Sequence, residues 1–169
     1  MNDHLLDELA DRVRHRFYGK YRGIVTEVDE KTLRLKATVP AVLGTTPTGW
    51  CLPCVPYAGP NVGFFFLPEA GAAVWIEFEG GDVSYPIWVG CYWHDGERPN
   101  RVAKQVKVIK TKGNQQIVLD DKRHSITLID SNGNSVTLDR KGIAIVRGKG
   151  KLEIVDGKVS ANDGAMEVT

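Results

Sequence analysis

From Asn100 to Thr169 the chain has neither an aromatic ring nor a proline, although fourteen aromatics and eight prolines precede that stretch. A segment of this kind cannot assemble a bulky core of its own. It offers short aliphatic pairs instead: Val106/Val108, Ile117/Leu119, Ile126/Leu128, Val136/Leu138, Ile143/Ile145 and Leu152/Ile154. Spacing i, i+2 puts both members of a pair on one side of a strand. Polar turns separate the pairs: Lys112-Gly113-Asn114, Ser131-Asn132-Gly133-Asn134, Lys141-Gly142, Gly148-Lys149-Gly150 and Asp156-Gly157. Successive pairs start 11, 9, 10, 7 and 9 residues apart, a quasi-repeat of short strands. One such rung cannot bury its apolar side, so stacking has to complete the core. Several chains winding together would do this; the alternative is a plain antiparallel meander packed on the rest of the chain.

The part before Arg101 is built differently. All its rings lie between Phe17 and Trp93, and all its prolines between Pro40 and Pro99. It holds 9 basic and 13 acidic residues, net −4, against 13 basic and 8 acidic from Arg101 onward, net +5, which together give the chain's +1. This balance is not that of a general nucleic-acid binder, which is strongly basic. No apolar run is long enough to span a bilayer, and Met1 to Arg16 has no apolar signal-peptide core. The chain is therefore expected to be made in the cytoplasm without a signal peptide, its three cysteines free in a reducing compartment. The polar stretch Asp95–Asn100 reads as a linker between two regimes.

Alternation predicts strands between Phe17 and Trp93. Leu33 to Val39 alternates apolar and polar, Ile24, Thr26 and Val28 form a preceding run, and Asp29–Thr32 turns the chain between them. Val74, Ile76 and Phe78 alternate with Trp75, Glu77 and Glu79, the last two glutamates sharing one face. Gly80-Gly81-Asp82 then turns into Tyr85–Trp93, where Pro86 belongs at a strand start or edge. A further strand fits Gly49–Tyr57, ahead of a loop over Ala58–Gly63. Five strands in so short a span suggest a small barrel, and the OB-fold is the common five-stranded form. In front of it, Leu5, Leu6, Leu9 and Val13 mark a one-sided helix over Asp3–Arg16, capped by Asn2 or Asp3, with Asp7 and Glu8 near its start and Arg12, Arg14 and Arg16 near its end. Isolated helices of this length are marginal in water, so its stripe docks either on its own domain or on another subunit.

Candidate chemistry is sparse. Cys51, Cys54, Cys91 and His94 offer a C-x-x-C and a C-x-x-H that could hold zinc. Both pairs fall in expected strands, where residues i and i+3 point to opposite faces. The plainer interpretation is three buried thiols acting as apolar filler. His124 could meet its own copies on a threefold axis and hold an ion, or simply face water. His4 and His15 sit on the helix, His15 within reach of a partner. Glu69, Glu77, Glu79 and Asp82 show no pairing across a cleft of the kind a glycosidase needs. No Ser-His-Asp set, phosphate loop or dinucleotide fingerprint occurs. The expectation is no enzyme, no cofactor and no metal. Trp75, Trp88, Tyr92 and Trp93 could stack bases, which leaves one alternative function: an OB-fold single-stranded nucleic-acid-binding protein with a β-rich tail. An interface is the other use for such rings.

The stretch Gly49-Trp50 … Pro56-Tyr57-Ala58-Gly59-Pro60 … Gly63-Phe64-Phe65-Phe66-Leu67-Pro68-Glu69-Ala70-Gly71, followed by Val74-Trp75-Ile76-Glu77-Phe78-Glu79-Gly80-Gly81-Asp82 … Tyr85-Pro86-Ile87-Trp88-Val89-Gly90, closely resembles the OB-fold domain of phage baseplate spike proteins. These form the baseplate assembly protein V family of contractile tails and injection systems, with gpV-like and VgrG-like members. The resemblance implies an all-β chain: an N-terminal helix (1–16), a five-stranded OB barrel (17–95), a linker (96–104) and a short intertwined triple-stranded β-helix made by a trimer (105–169). Its trimer core would be Ile117, Leu119, Ile126, Leu128, Val136, Leu138, Ile143, Ile145, Leu152 and Ile154. It further implies a structural central spike in a phage tail or tail-like particle, joining hub to tip and transmitting thrust into a target envelope. Its partners would be two further copies and a hub protein on the OB side, with no nucleic acid; the C-terminal end would either be capped by a separate tip protein or be blunt. Three departures from the family stand out. No lysozyme-like domain follows the barrel, no hub domain precedes it, and the end from Ser160 has no His-x-His metal-binding tip.

Overall fold

A computed structural model describes His4, Leu6, Glu8, Ala10, Val13 and residues 15–168. Met1–Gly96 and Glu97–Thr169 are two compact units. Of the expected helix, His4, Leu6, Glu8, Ala10 and Val13 are helical, with Leu6 and Val13 exposed. Asn2, Asp3, Leu5, Asp7, Leu9, Arg12 and Arg14 lie outside the described residues. The segment after it is pinned at one place. The Phe17 N–H donates to Gly81 O at 2.8 Å, and Arg16 Nη1 reaches Gly80 O at 3.3 Å and Asp82 Oδ2 at 3.2 Å. Gly81 has φ +77°, and a Cβ there would sit 3.0 Å from the Phe17 nitrogen, so the clasp needs glycine on two grounds.

The first unit is a curled five-stranded sheet in the order β2-β1-β6-β7-β3. Its strands are β1 (Tyr21–Asp29), β2 (Arg34–Thr38), β3 (Leu52–Pro53), β6 (Ala73–Phe78) and β7 (Pro86–Cys91). A short helix α1 (Pro40–Leu43) follows β2, and a 3-10 turn (Glu79–Gly81) joins β6 to β7. Cys51 bridges back to Leu35 on β2, its N–H donating to Leu35 O at 2.8 Å, so the sheet closes on itself like an OB barrel. The alternation in β2 and β6 fills the interior: Leu35, Ala37, Val39, Val74, Ile76 and Phe78 are buried, joined by Val25, Cys51 and Trp88. In β1 a bulge between Val25 and Glu27 shifts the pairing by one residue. It exchanges the faces, so Val25 enters the core while Ile24 is only half-buried and Val28 packs at the core's margin.

Several expectations need correcting here. Leu33 is not in β2: it sits in the turn at φ +56° and is 43% exposed. That turn is held by Asp29, which accepts from Thr32 Oγ1 at 2.6 Å and from the Lys31 N–H at 2.9 Å. The strand expected over Gly49–Tyr57 shrinks to Leu52–Pro53, pairing parallel with β7; Pro53 and Pro56 have no N–H to donate to a longer ladder. The loop expected over Ala58–Gly63 is a hairpin: β4 (Tyr57–Gly59) pairs antiparallel with β5 (Val62–Phe64). Pro60-Asn61 makes its two-residue turn, with Asn61 at φ +58°, the arrangement a proline followed by a left-handed residue favours. Glu79 opens the 3-10 turn rather than sharing a strand face with Glu77.

The second unit is one eight-stranded antiparallel meander in sequence order, β8 to β15. The strands are β8 (Val106–Lys110), β9 (Gln116–Asp120), β10 (Ser125–Ile129), β11 (Ser135–Asp139), β12 (Gly142–Arg147), β13 (Gly150–Val155), β14 (Lys158–Ala161) and β15 (Met166–Val168). Turn chemistry sets each reversal. At β10–β11, Asp130 Oδ1 accepts from the Asn132 and Asn134 N–H groups at 2.9 and 2.8 Å, and its Oδ2 accepts from Asn134 Nδ2 at 2.7 Å.

Candidate functional site

The register of the meander fixes which residues share a face. Ile117 lies opposite Leu128 and Leu119 opposite Ile126. Leu128 then faces Val136, and Ile126 faces Leu138. Val136 continues to Ile145 and Leu138 to Ile143, and these to Leu152 and Ile154. The last links are Ala161 and Val159 on β14, then Met166 and Val168 on β15. Two unbroken columns of apolar side chains therefore cross the sheet. From β9 to β15, at about 4.8 Å per strand, they run for roughly 29 Å. On β8 only Ile109 joins them. Val106 and Val108 point the other way, Val108 opposite Val118, so that aliphatic pair belongs to the opposite face.

Burial in this sheet is inverted. Ile126 and Leu128 are 45% and 44% exposed, while Thr127 between them is half-buried and Val118 on its side is 8% exposed. The columns end on the most open pair, Met166 at 65% and Val168 at 64%. A continuous apolar stripe in water marks an interaction surface. The opposite face carries Ser125, Thr127, Ser135, Thr137 and Asp139. A cavity of about 1040 Å³ opens on it near Arg101, Lys104, Lys122 and Arg123.

The other candidates disperse. Cys51 is buried, its Sγ 3.3 Å from Thr48 Oγ1, and burial pushes its thiol up. Cys54 and Cys91 are exposed, so only one of the three thiols is core filler. Partial burial and then the charge of Glu69 push the Cys91 thiol up as well. A raised thiol is a poor nucleophile and a poor metal ligand. Among the described residues no three His, Cys, Asp or Glu side chains come together. His124 sits at φ +54° in the β9–β10 turn, exposed. Glu77 pairs with Lys20 and Asp82 with Arg16. Of the four rings weighed for stacking, Trp88 is in the core with Phe65 edge-on at 6.1 Å. Trp75 and Tyr92 lie tilted against each other, ring centroids 4.9 Å apart, under the Arg22 guanidinium, and Trp93 is 60% exposed.

The hairpin β4–β5 carries the surface that the alternation of the sequence did not disclose. All six of its strand residues are exposed, including Tyr57 at 57% and Phe64 at 49%. Phe66 extends the same side, its ring 5.1 Å from Phe64, while Phe65 between them points to the core. A composition signal was present: from Ala37 to Pro68 the chain has no charged residue.

With these surfaces defined, comparison with known families decides the matter. Residues 21–93 match the type VI secretion system/phage-baseplate injector OB domain, and residues 106–167 match the phage baseplate V C-terminal trimerisation domain. The chain belongs to the phage-baseplate injector family. Both halves match in the family's own order, and together they take in most of the chain. The family is one of structural proteins that assemble into a baseplate, and the second match assigns trimerisation to the unit that wears its apolar face outward. No curated protein matches the chain.

Proposed function

We propose that the chain is the central spike of a contractile tail or injection-system baseplate. Three copies lay their C-terminal sheets together, so that Ile117, Leu119, Ile126, Leu128, Val136, Leu138, Ile143, Ile145, Leu152 and Ile154 face a common axis. The barrel joins the tube hub, the C-terminal end meets a tip protein, and the assembly carries the thrust of contraction into the target envelope. The work is mechanical rather than catalytic. The observation that carries this is the inverted burial of the meander: two columns of aliphatics in register, turned to solvent in the single chain. Completing the burial of such side chains is worth roughly 0.5–1 kcal/mol each, and the columns supply enough of them to hold chains together. An apolar prism closed by three sheets also hides the faces that an isolated sheet would present for aggregation.

The test is the solution mass by light scattering on a size-exclusion column. Three chains of 18.7 kDa give about 56 kDa. A folded monomer that persists on dilution rules the spike out.

A further inference from the structure

We propose that the β4–β5 hairpin is a second contact between copies, in which Tyr57, Val62, Phe64 and Phe66 of one copy pack on the first unit of its neighbour. The inference rests on the threefold assembly above and concerns a surface outside the trimerisation match. Tyr57 and Phe64 are cross-strand partners, and Val62 lies on the same side two residues away, so one face of the hairpin is apolar. A two-stranded hairpin alone is marginal in water, and among the described residues this one pairs with no other strand. Val55 before it and Phe65 after it pack against the core, while the hairpin's own six strand residues are exposed.

Three observations favour another copy as the occupant. First, β7 ends at Cys91 and β8 begins at Val106, so a short tether holds the first units of a trimer near one another, at an effective concentration on the order of millimolar. Second, residues 1–100 carry net −4, so neighbouring copies repel wherever their charges meet. The segment Ala37–Pro68 is free of charge and is the part of that surface on which like-charged copies can touch without this cost. Third, a protruding element that docks on a different surface of the next copy makes a head-to-tail contact, and a threefold axis closes such contacts into a ring. Uncharged aromatics are also what interface cores favour.

The experiment uses the full chain with a photo-reactive benzophenone side chain at position 64, with the mass measured in parallel. The expected result is a trimer in which illumination joins copies, with the cross-link mapping within residues 1–96 of a neighbour. Hydrogen exchange gives an independent measure. Amides of Tyr57–Phe64 should exchange about tenfold more slowly in the trimer of the natural chain than in the triple variant Tyr57→Ser/Phe64→Ser/Phe66→Ser, whose mass should remain that of a trimer. A trimer that forms no cross-link between copies, or whose hairpin exchanges equally fast in both proteins, overturns the contact and leaves the spike standing. A monomer overturns both.

Discussion

Gly142 shows how one residue can control a whole sheet. It opens β12 at φ +145°, and a Cβ there would lie 2.0 Å from the Ile154 carbonyl oxygen, a backbone atom that cannot step aside. Gly142→Ala should therefore cost about 2 kcal/mol or more. Gly113→Ala, whose Cβ meets only the Thr111 hydroxyl at 3.9 Å, should stay within about 0.5 kcal/mol. Thermal melts of the two variants check the contrast. Three turn aspartates make a second residue-scale prediction. Asp29 is held below the usual carboxylate range chiefly by the Thr32 hydroxyl, Asp82 by the Ser84 N–H, and Asp130 by the Asn134 side chain. A folded-state pKa below the unfolded value near 4 means stability that is present at neutral pH and lost as the solution is acidified through the folded values. Melting temperature should fall below about pH 4, and Asp130→Asn should flatten part of that fall.

At the scale of the element, the meander tests whether face matters more than composition. Leu128→Asp places a charge in the middle of a column and should abolish the trimer, costing about 2–3 kcal/mol per copy. Thr127→Asp changes the adjacent residue on the opposite face, beside the cavity lined by Arg101, Lys122 and Arg123, and should leave the mass unchanged. Light scattering separates the two. Much of this unit could be seen in the chain, because i, i+2 aliphatic pairs and Asn/Gly turns each have a direct structural meaning. The exception, Val106/Val108, had the right spacing and the wrong face, since spacing does not reveal how a strand registers with its neighbour. The barrel was legible where alternation was clean, in β2 and β6. It was not legible in β1, where the bulge exchanges faces, nor in the β4–β5 hairpin, whose three-residue strands rich in Gly and Pro look like a loop. Cys91 escapes the core although its sequence neighbours are apolar, because burial depends on where a strand stops, and Cys91 is the last residue of β7.

For the whole molecule, the uneven distribution of rings separates the signals of the two units. All aromatics lie between Phe17 and Trp93, so tryptophan fluorescence reports the first unit, while far-ultraviolet circular dichroism reports both. Unfolding of the C-terminal unit coupled to dissociation should give a dichroism midpoint that rises with protein concentration. A fluorescence transition that does not move would show the barrel melting independently of assembly. The unbroken columns also have a consequence for size. Because each strand from β9 to β15 contributes two apolar positions and hands the pattern to the next, the sheet works as a ruler graduated in hairpins. Removing or inserting a whole hairpin changes its length by about 9.6 Å, two strand spacings, and returns the columns to register. A sheet of different reach would need no new architecture, only a different number of such steps.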